Sequence, residues 1–136
     1  MEQSRGFILF RKEGENYYFL LLHYKAGHWD FPRGHIEEGE DDFSTAIREL
    51  KEETGIDEID LIEGFSYSYS YLFSNNKKQK QVNLMLARTN QKTVKLSSEH
   101  IGARWLNYQN ALNLLTYENP KIALQQAKKF LENKQI

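Results

Sequence analysis

The sequence predicts an α/β fold with a mixed β-sheet lying between helices, on three observations. Short apolar runs at residues 6–11 and 17–24 read as strands before any helical pattern appears. An apolar stripe with helical period then occupies residues 40–54. Strand-like runs return at residues 65–73, 82–88 and 103–106, followed by two further helical segments. With 136 residues, two prolines, no internal repeat and no low-complexity linker, the span 1–136 is expected to form a single domain.

The first two runs, GFILFR and YYFLLLHY, flank a polar stretch at 12–16 with Gly14 in it, which has the makeup of a hairpin turn. Consecutive strand residues point to opposite faces, so Leu20, Leu21 and Leu22 in succession call for a strand buried on both sides. Residues 25–35 carry no periodicity and read as a loop. In the helix at 40–54, Asp41, Asp42 and Ser44 suit the N-terminal end and Gly55 suits the position just past the C-terminal end. Phe43, Ala46, Ile47 and Leu50 fall at i, i+3, i+4 and i+7 and form the expected core stripe. Along residues 65–73, Phe65, Tyr67, Tyr69, Tyr71 and Phe73 share one strand face, and Ser66, Ser68 and Ser70 share the other. A polar loop follows at 75–79. Asn107 is placed to cap a short helix through Leu115, and Asn119-Pro120 to start a last helix running to about Asn133.

An apolar fraction of 40%, with 8 Phe, 8 Tyr and 2 Trp, supports a core without disulfides or structural metal. The absence of cysteine excludes disulfide frameworks and Cys-based zinc sites. The apolar run ending at Phe10 is stopped by Arg11 and Lys12, too early for a signal peptide or membrane span. A soluble, cytoplasmic protein without a membrane partner is expected. A formal net charge of -1 speaks against stable nucleic-acid binding. The charge is uneven: residues 37–63 are acidic, whereas Lys77, Lys78 and Lys80 cluster. A metal-plus-phosphate site needs such a pairing, and two solvated surface segments would show it equally.

The chemistry concentrates in residues 34–56, GHIEEGEDDFSTAIRELKEETGI. Glu49, Glu52 and Glu53, at i, i+3 and i+4, neighbour one another on a helix surface and repel unless a cation intervenes. Oxygen ligands of this kind suit a hard divalent ion. Taken alone, the triplet also fits a solvated acidic face with Arg48 paired to Glu52. The wider segment fits G-x5-E-x7-R-E-U-x-E-E-x-G-U, where U is a bulky aliphatic residue, through Gly34, Glu40, Arg48, Glu49, Leu50, Glu52, Glu53, Gly55 and Ile56. This is the Nudix box without departures, and the order of strands and helices around it also resembles the Nudix hydrolases. Gly34 is expected to give the turn its backbone freedom.

That resemblance implies an α/β/α sandwich and a Mg2+-dependent hydrolase, with Mn2+ as an alternative ion. It implies metal ligation by Glu49, Glu52 and Glu53, with Arg48 orienting one of them and Glu40 supporting the site from behind. Glu49, Glu53 and Glu99 are the candidates for general base, and Glu99 is also a candidate ligand. Within the family the chain resembles the asymmetrical diadenosine tetraphosphate hydrolases. The likeness lies in His28-Trp29 ahead of Pro32-Arg33-Gly34-His35, in Gly39-Glu40-Asp41-Asp42, in Ile62-Glu63-Gly64-Phe65, and in Leu96-Ser97-Ser98-Glu99-His100 ahead of Arg104-Trp105-Leu106. It implies phosphate contacts from His28, Arg33 and Lys80, and base stacking by Tyr71 and Tyr117. Each of these residues also has an ordinary structural reading: loop histidine, exposed lysine, packed strand face or helix-start packing. Arg33 departs from the group's usual lysine; it keeps the charge and presents a planar fork. The expected substrate is a dinucleoside polyphosphate. A 5′ RNA pyrophosphohydrolase, a nucleoside triphosphate pyrophosphatase and a non-catalytic nucleotide-sensing module are the competing expectations.

Overall fold

A computed structural model describes residues 1–136. Seven strands form one mixed sheet in the order β3 (Trp29–Asp30), β2 (Asn16–Tyr24), β1 (Glu2–Glu13), β6 (Lys78–Thr89), β5 (Ile59–Phe73), with β4 (Arg33–His35) on β1 and β7 (His100–Leu106) on β2. Strands β1 (Glu2–Glu13) and β2 (Asn16–Tyr24) form the expected hairpin, and its two-residue turn uses Gly14 at φ 60°. Strand β6 (Lys78–Thr89) runs parallel to β1 and antiparallel to β5 (Ile59–Phe73), which makes the sheet mixed.

The three leucines behave as their succession demands. Leu20 and Leu22 join Phe7 and Leu9 against Ala46, Leu50 and Ile56, on the side of helix α1 (Asp42–Thr54). Leu21 joins Ile8, Phe10 and Phe19 against Ala111, Ala123, Leu124, Ala127 and Leu131 on the other side. The latter residues come from α2 (Tyr108–Leu114) and α3 (Glu118–Lys134), so helices cover both faces of the sheet. No helix is long and apolar enough to cross a membrane.

Three expectations are corrected. Phe43 is 40% exposed and meets Phe7 only edge-on at 6.1 Å. The buried face of α1 instead runs through Thr45, Ala46, Leu50, Glu53 and Thr54, turned so that a glutamate faces inward. The expected loop at 25–35 contains two short strands, β3 (Trp29–Asp30) on β2 and β4 (Arg33–His35) on β1. Elements this short have too few residues to show a period. Strand β5 begins at Ile59 rather than at residue 65, because the register shifts between Leu61 and Ser66 around Gly64 at φ 96°, breaking the alternation.

Helix α3 starts at Glu118, after Tyr117 and without the cap expected from Asn119. Strand β6 starts at Lys78, so the loop expected at 75–79 ends at Lys77. The remaining elements follow the sequence closely. Asp41 caps α1 by accepting from the Ser44 amide, and Gly55 closes it in the left-handed region. Asn107 caps α2 by accepting from the Asn110 amide, and Pro120 lies in the first turn of α3. Strand β7 (His100–Leu106) starts three residues earlier than its apolar run.

Candidate functional site

Helix α1 runs beside β4, and the contact between them is set by a missing side chain. A Cβ on Gly34 would lie 2.0 Å from Cδ of Glu49. Gly34 is not among the glycines with positive φ, so its role differs from the turn freedom expected of it: it makes room for the Glu49 carboxylate.

Arg48 organises the acidic surface. Its Nε and Nη2 donate to the two carboxylate oxygens of Glu40 at 2.7 and 3.0 Å, its Nη1 to Glu49 at 2.8 Å, and its Nη2 also to the His35 carbonyl at 2.9 Å. Glu52 receives a longer contact at 3.3 Å. Glu40 further accepts from the Glu37 amide and the Thr45 hydroxyl, both at 2.9 Å. The Arg48 hydrogen bonds, aided by these donors, pull the Glu40 carboxyl down to about 2. Arg48 is thereby held charged.

Glu53 stands in the opposite condition. It is 4% exposed, its Oε1 has no partner, and its Oε2 is 3.8 Å from His100 Nε2, too far for a hydrogen bond. Burial, with the nearby carboxylates of Glu49 and Glu99, pushes its pKa up to about 9. Burial also raises Glu49, against the pull of Arg48. Glu99 arrives from far along the chain because Lys95 N donates to Thr54 O at 2.8 Å and Ser97 N to Glu53 O at 3.2 Å, pinning that segment to the end of α1. Glu49, Glu52, Glu53 and Glu99 then line one cleft of ≈ 390 Å³ with Lys80, Arg33 and His28.

A second cleft, of ≈ 500 Å³, opens beside the first. Its walls include Tyr69, Tyr71 and Phe73 from β5 and Tyr117 with Pro120 from the start of α3. The Tyr69 and Tyr71 rings lie 6.3 Å apart, and Tyr117 is 55% exposed. Such aromatic faces suit a planar ring. His28, Arg33 and Tyr71 border both clefts. His28 lies flat on Tyr24 at 4.7 Å and 6°, and burial lowers its pKa, so at neutral pH it offers an N–H rather than a positive charge. Arg33 donates from Nη1 to Ser4 Oγ at 3.2 Å and from Nη2 to Tyr71 Oη at 3.3 Å. Lys80 pairs with Tyr71 across β5 and β6, its ammonium 5.2 Å from the Phe73 ring centre.

All the residues singled out from the sequence thus meet around these two clefts, with Arg48 and Glu40 supporting from behind. The sequence assigned no site role to Asp30, named His100 only within the likeness at residues 96–100, and took Tyr69 as part of the strand face. Asp30 is 1% exposed, lines the aromatic cleft and pairs with Arg33 at 3.5 Å. A carboxylate three residues before an arginine was the available signal for it; nothing local marks His100 as a neighbour of Glu53.

The donor set fits a hard divalent cation: four carboxylates line the cleft, and a buried Glu53 oxygen without a partner faces mutual repulsion. In the side-chain arrangement described, no three of the His, Asp and Glu groups close on one point. Glu49 is turned toward Arg48, and Glu52 is 57% exposed and free to rotate, so joint ligation requires rotamer changes.

The NUDIX domain family matches residues 2–130 of the chain. The bis(5'-nucleosyl)-tetraphosphatase [asymmetrical] of Rattus norvegicus is 39% identical over 93% of this chain and 92% of that protein. Its Caenorhabditis elegans counterpart is 32% identical over 95% of this chain and 96% of that protein. A C. elegans Ap4A hydrolase, solved as a binary complex, superposes with a TM-score of 0.90 at 30% identity, covering 98% of this chain and 99% of that one.

Proposed function

Because this chain belongs to the NUDIX family, we propose that it hydrolyses a phosphoanhydride bond in dinucleoside polyphosphates, converting diadenosine tetraphosphate to ATP and AMP. One observation carries the substrate choice. The aromatic cleft and the acidic cleft open onto each other through His28, Arg33 and Tyr71. A nucleoside held in the first leads its polyphosphate past these residues into the second.

Tyr71 and Tyr117 would flank the base. Arg33, Lys80 and the neutral His28 would hold phosphate oxygens, the first two by charge and the third by its N–H. Glu49, Glu52, Glu53 and Glu99 would hold a divalent cation, Mg2+ in this reading with Mn2+ as the alternative. The cation would supply neutralisation of phosphate charge and a more acidic water. Glu49, Glu53 and Glu99 are the groups placed to take the proton of a water attacking phosphorus in line with the leaving phosphate. Arg48 is the positioning group. Its fork on Glu40 leaves Nη1 directed at Glu49, so the Glu49 carboxylate has one favoured orientation. Gly34 keeps the space that this orientation needs.

The test is incubation with diadenosine tetraphosphate and Mg2+ in 18O-labelled water, with products resolved by chromatography and mass spectrometry. ATP and AMP, lost on adding EDTA, are the expected result, and the labelled product identifies the phosphorus attacked. Two ADP would overturn the asymmetrical assignment. No turnover would overturn the substrate and bring forward 5′-triphosphorylated RNA.

A further inference from the structure

Arg33 stands at the junction of the clefts with a competing use for its charge close by. Glu49, Glu52, Glu53 and Glu99 line the same acidic cleft that it borders. A guanidinium beside four carboxylates would be expected to pair with them, since a bidentate pair is the strongest contact it can make. It makes no ion pair with them, although its charge is near enough to act on Glu53; its one ion pair is with Asp30, at 3.5 Å, on the aromatic side.

Asp30 is built into that position. It belongs to β3, whose ladder with β2 sets Asp30 against Leu22. Its Oδ1 accepts from the Phe31 amide at 2.7 Å, which fixes the carboxylate plane and leaves Oδ2 toward Arg33. At 1% side-chain exposure it has no solvent to stabilise its charge and no cationic ion-pair partner except Arg33. Breaking such a buried pair from one side leaves the other charge uncompensated and drives it to the next available partner. For Arg33 the next available partners are the acidic-cleft carboxylates. Ser4 and Tyr71 offer it only neutral oxygens.

We propose that Asp30 is a positioning residue which holds Arg33 away from the carboxylate cluster, so that the guanidinium stays free for polyphosphate and the carboxylates stay free for the cation. This rests on the metal site proposed above. The consequence is specific: loss of Asp30 harms metal binding, although Asp30 borders only the other cleft, and it does so only while Arg33 is present.

Calorimetric titration of Mn2+ into nucleotide-free protein tests it on the wild type, Asp30→Asn, Arg33→Met and the double variant. Asp30→Asn should weaken Mn2+ affinity by about tenfold, as supporting residues of metal sites do. In the Arg33→Met background the same substitution should change affinity by less than about twofold, the spread expected of uncoupled sites. Unchanged affinity in Asp30→Asn overturns the proposal, and so does an equal loss in both backgrounds. If Asp30→Asn alone does not fold but the double variant folds and binds Mn2+ like Arg33→Met, the coupling stands. If the double variant also fails to fold, Asp30 serves the fold in its own right and the proposal is wrong. A wild type that binds no Mn2+ brings down the metal site and this inference together. One that binds Mn2+ but leaves diadenosine tetraphosphate intact brings down only the substrate.

Discussion

The two clefts share three residues and are built on opposite principles. The aromatic cleft balances its buried charge: Tyr69 and Tyr71 stand on the half-buried face of β5, and its one buried carboxylate, Asp30, has a cation in Arg33, although burial still raises the Asp30 pKa. The acidic cleft is made of groups set against each other. Glu53 is buried beside Glu49 and Glu99, keeps an oxygen without a partner, and has its pKa pushed up to about 9. The first cleft holds a paired charge beside aromatic faces. The second is maintained against local electrostatics by the rest of the fold, through the rotation of α1, the absent Cβ at Gly34 and the pinning of residues 95–97. Repulsion of that kind marks a candidate for chemistry, and aromatic faces beside a paired charge mark a candidate for binding.

The contrast can be broken most forcefully at Glu53. Glu53→Gln should reduce kcat by about a thousandfold, the scale of losing a group that serves a catalytic metal. Its melting temperature in EDTA at neutral pH should rise, since Glu53, with its pKa pushed from 4.5 up to about 9, must take up a proton on folding and a Gln need not. A variant that loses activity and also melts lower would mean that Glu53 holds the fold together, and the contrast would be lost.

Tyr117→Ala probes the aromatic side. Tyr117 is 55% exposed and makes no side-chain cap to α3, so its removal should leave the fold intact. A base stack is worth about 1–3 kcal/mol, so KM should rise about tenfold with kcat within about twofold. A fall in kcat with unchanged KM would assign Tyr117 to the chemistry instead.

The smallest effect is expected where the acidic cleft is relaxed. Glu40 is held down at about 2 against a usual 4.5, chiefly by Arg48. A lowered carboxylate contributes stability that is complete above its unfolded value and is lost as pH falls through its folded value. The melting temperature of Glu40→Gln should therefore lie slightly below that of the wild type at neutral pH, and the gap should close as pH falls from 4.5 toward 2. A gap that stays constant across that range would show that the Arg48 contact does not depend on the Glu40 charge.

Much of this was readable before any coordinates. The alternation at 65–73, the leucine run at 20–22 and the capped helix at 40–54 each obey a local period, and each is found in place. What escaped the sequence had no period to show. Strands of two and three residues, β3 and β4, exist only because β2 and β1 offer them hydrogen bonds. Phe43 fitted the helical stripe, yet lies exposed because the buried face is rotated toward Glu53. Asp30 was passed over because its importance comes from a pairing inside the protein, where no solvent competes for its charge.

The sequence by itself determined the family and the three helix glutamates, because both rest on residue types at fixed spacing in one short segment. It determined the mixed sheet between helices, because apolar period reports local geometry. Only the tertiary structure decided which carboxylate is buried, that Glu99 and Lys80 meet the helix from distant strands and loops, and that Arg33 pairs with Asp30 and with none of the glutamates. Those are matters of burial and of distance through space, and a charge's environment is set by neighbours that the chain order does not name.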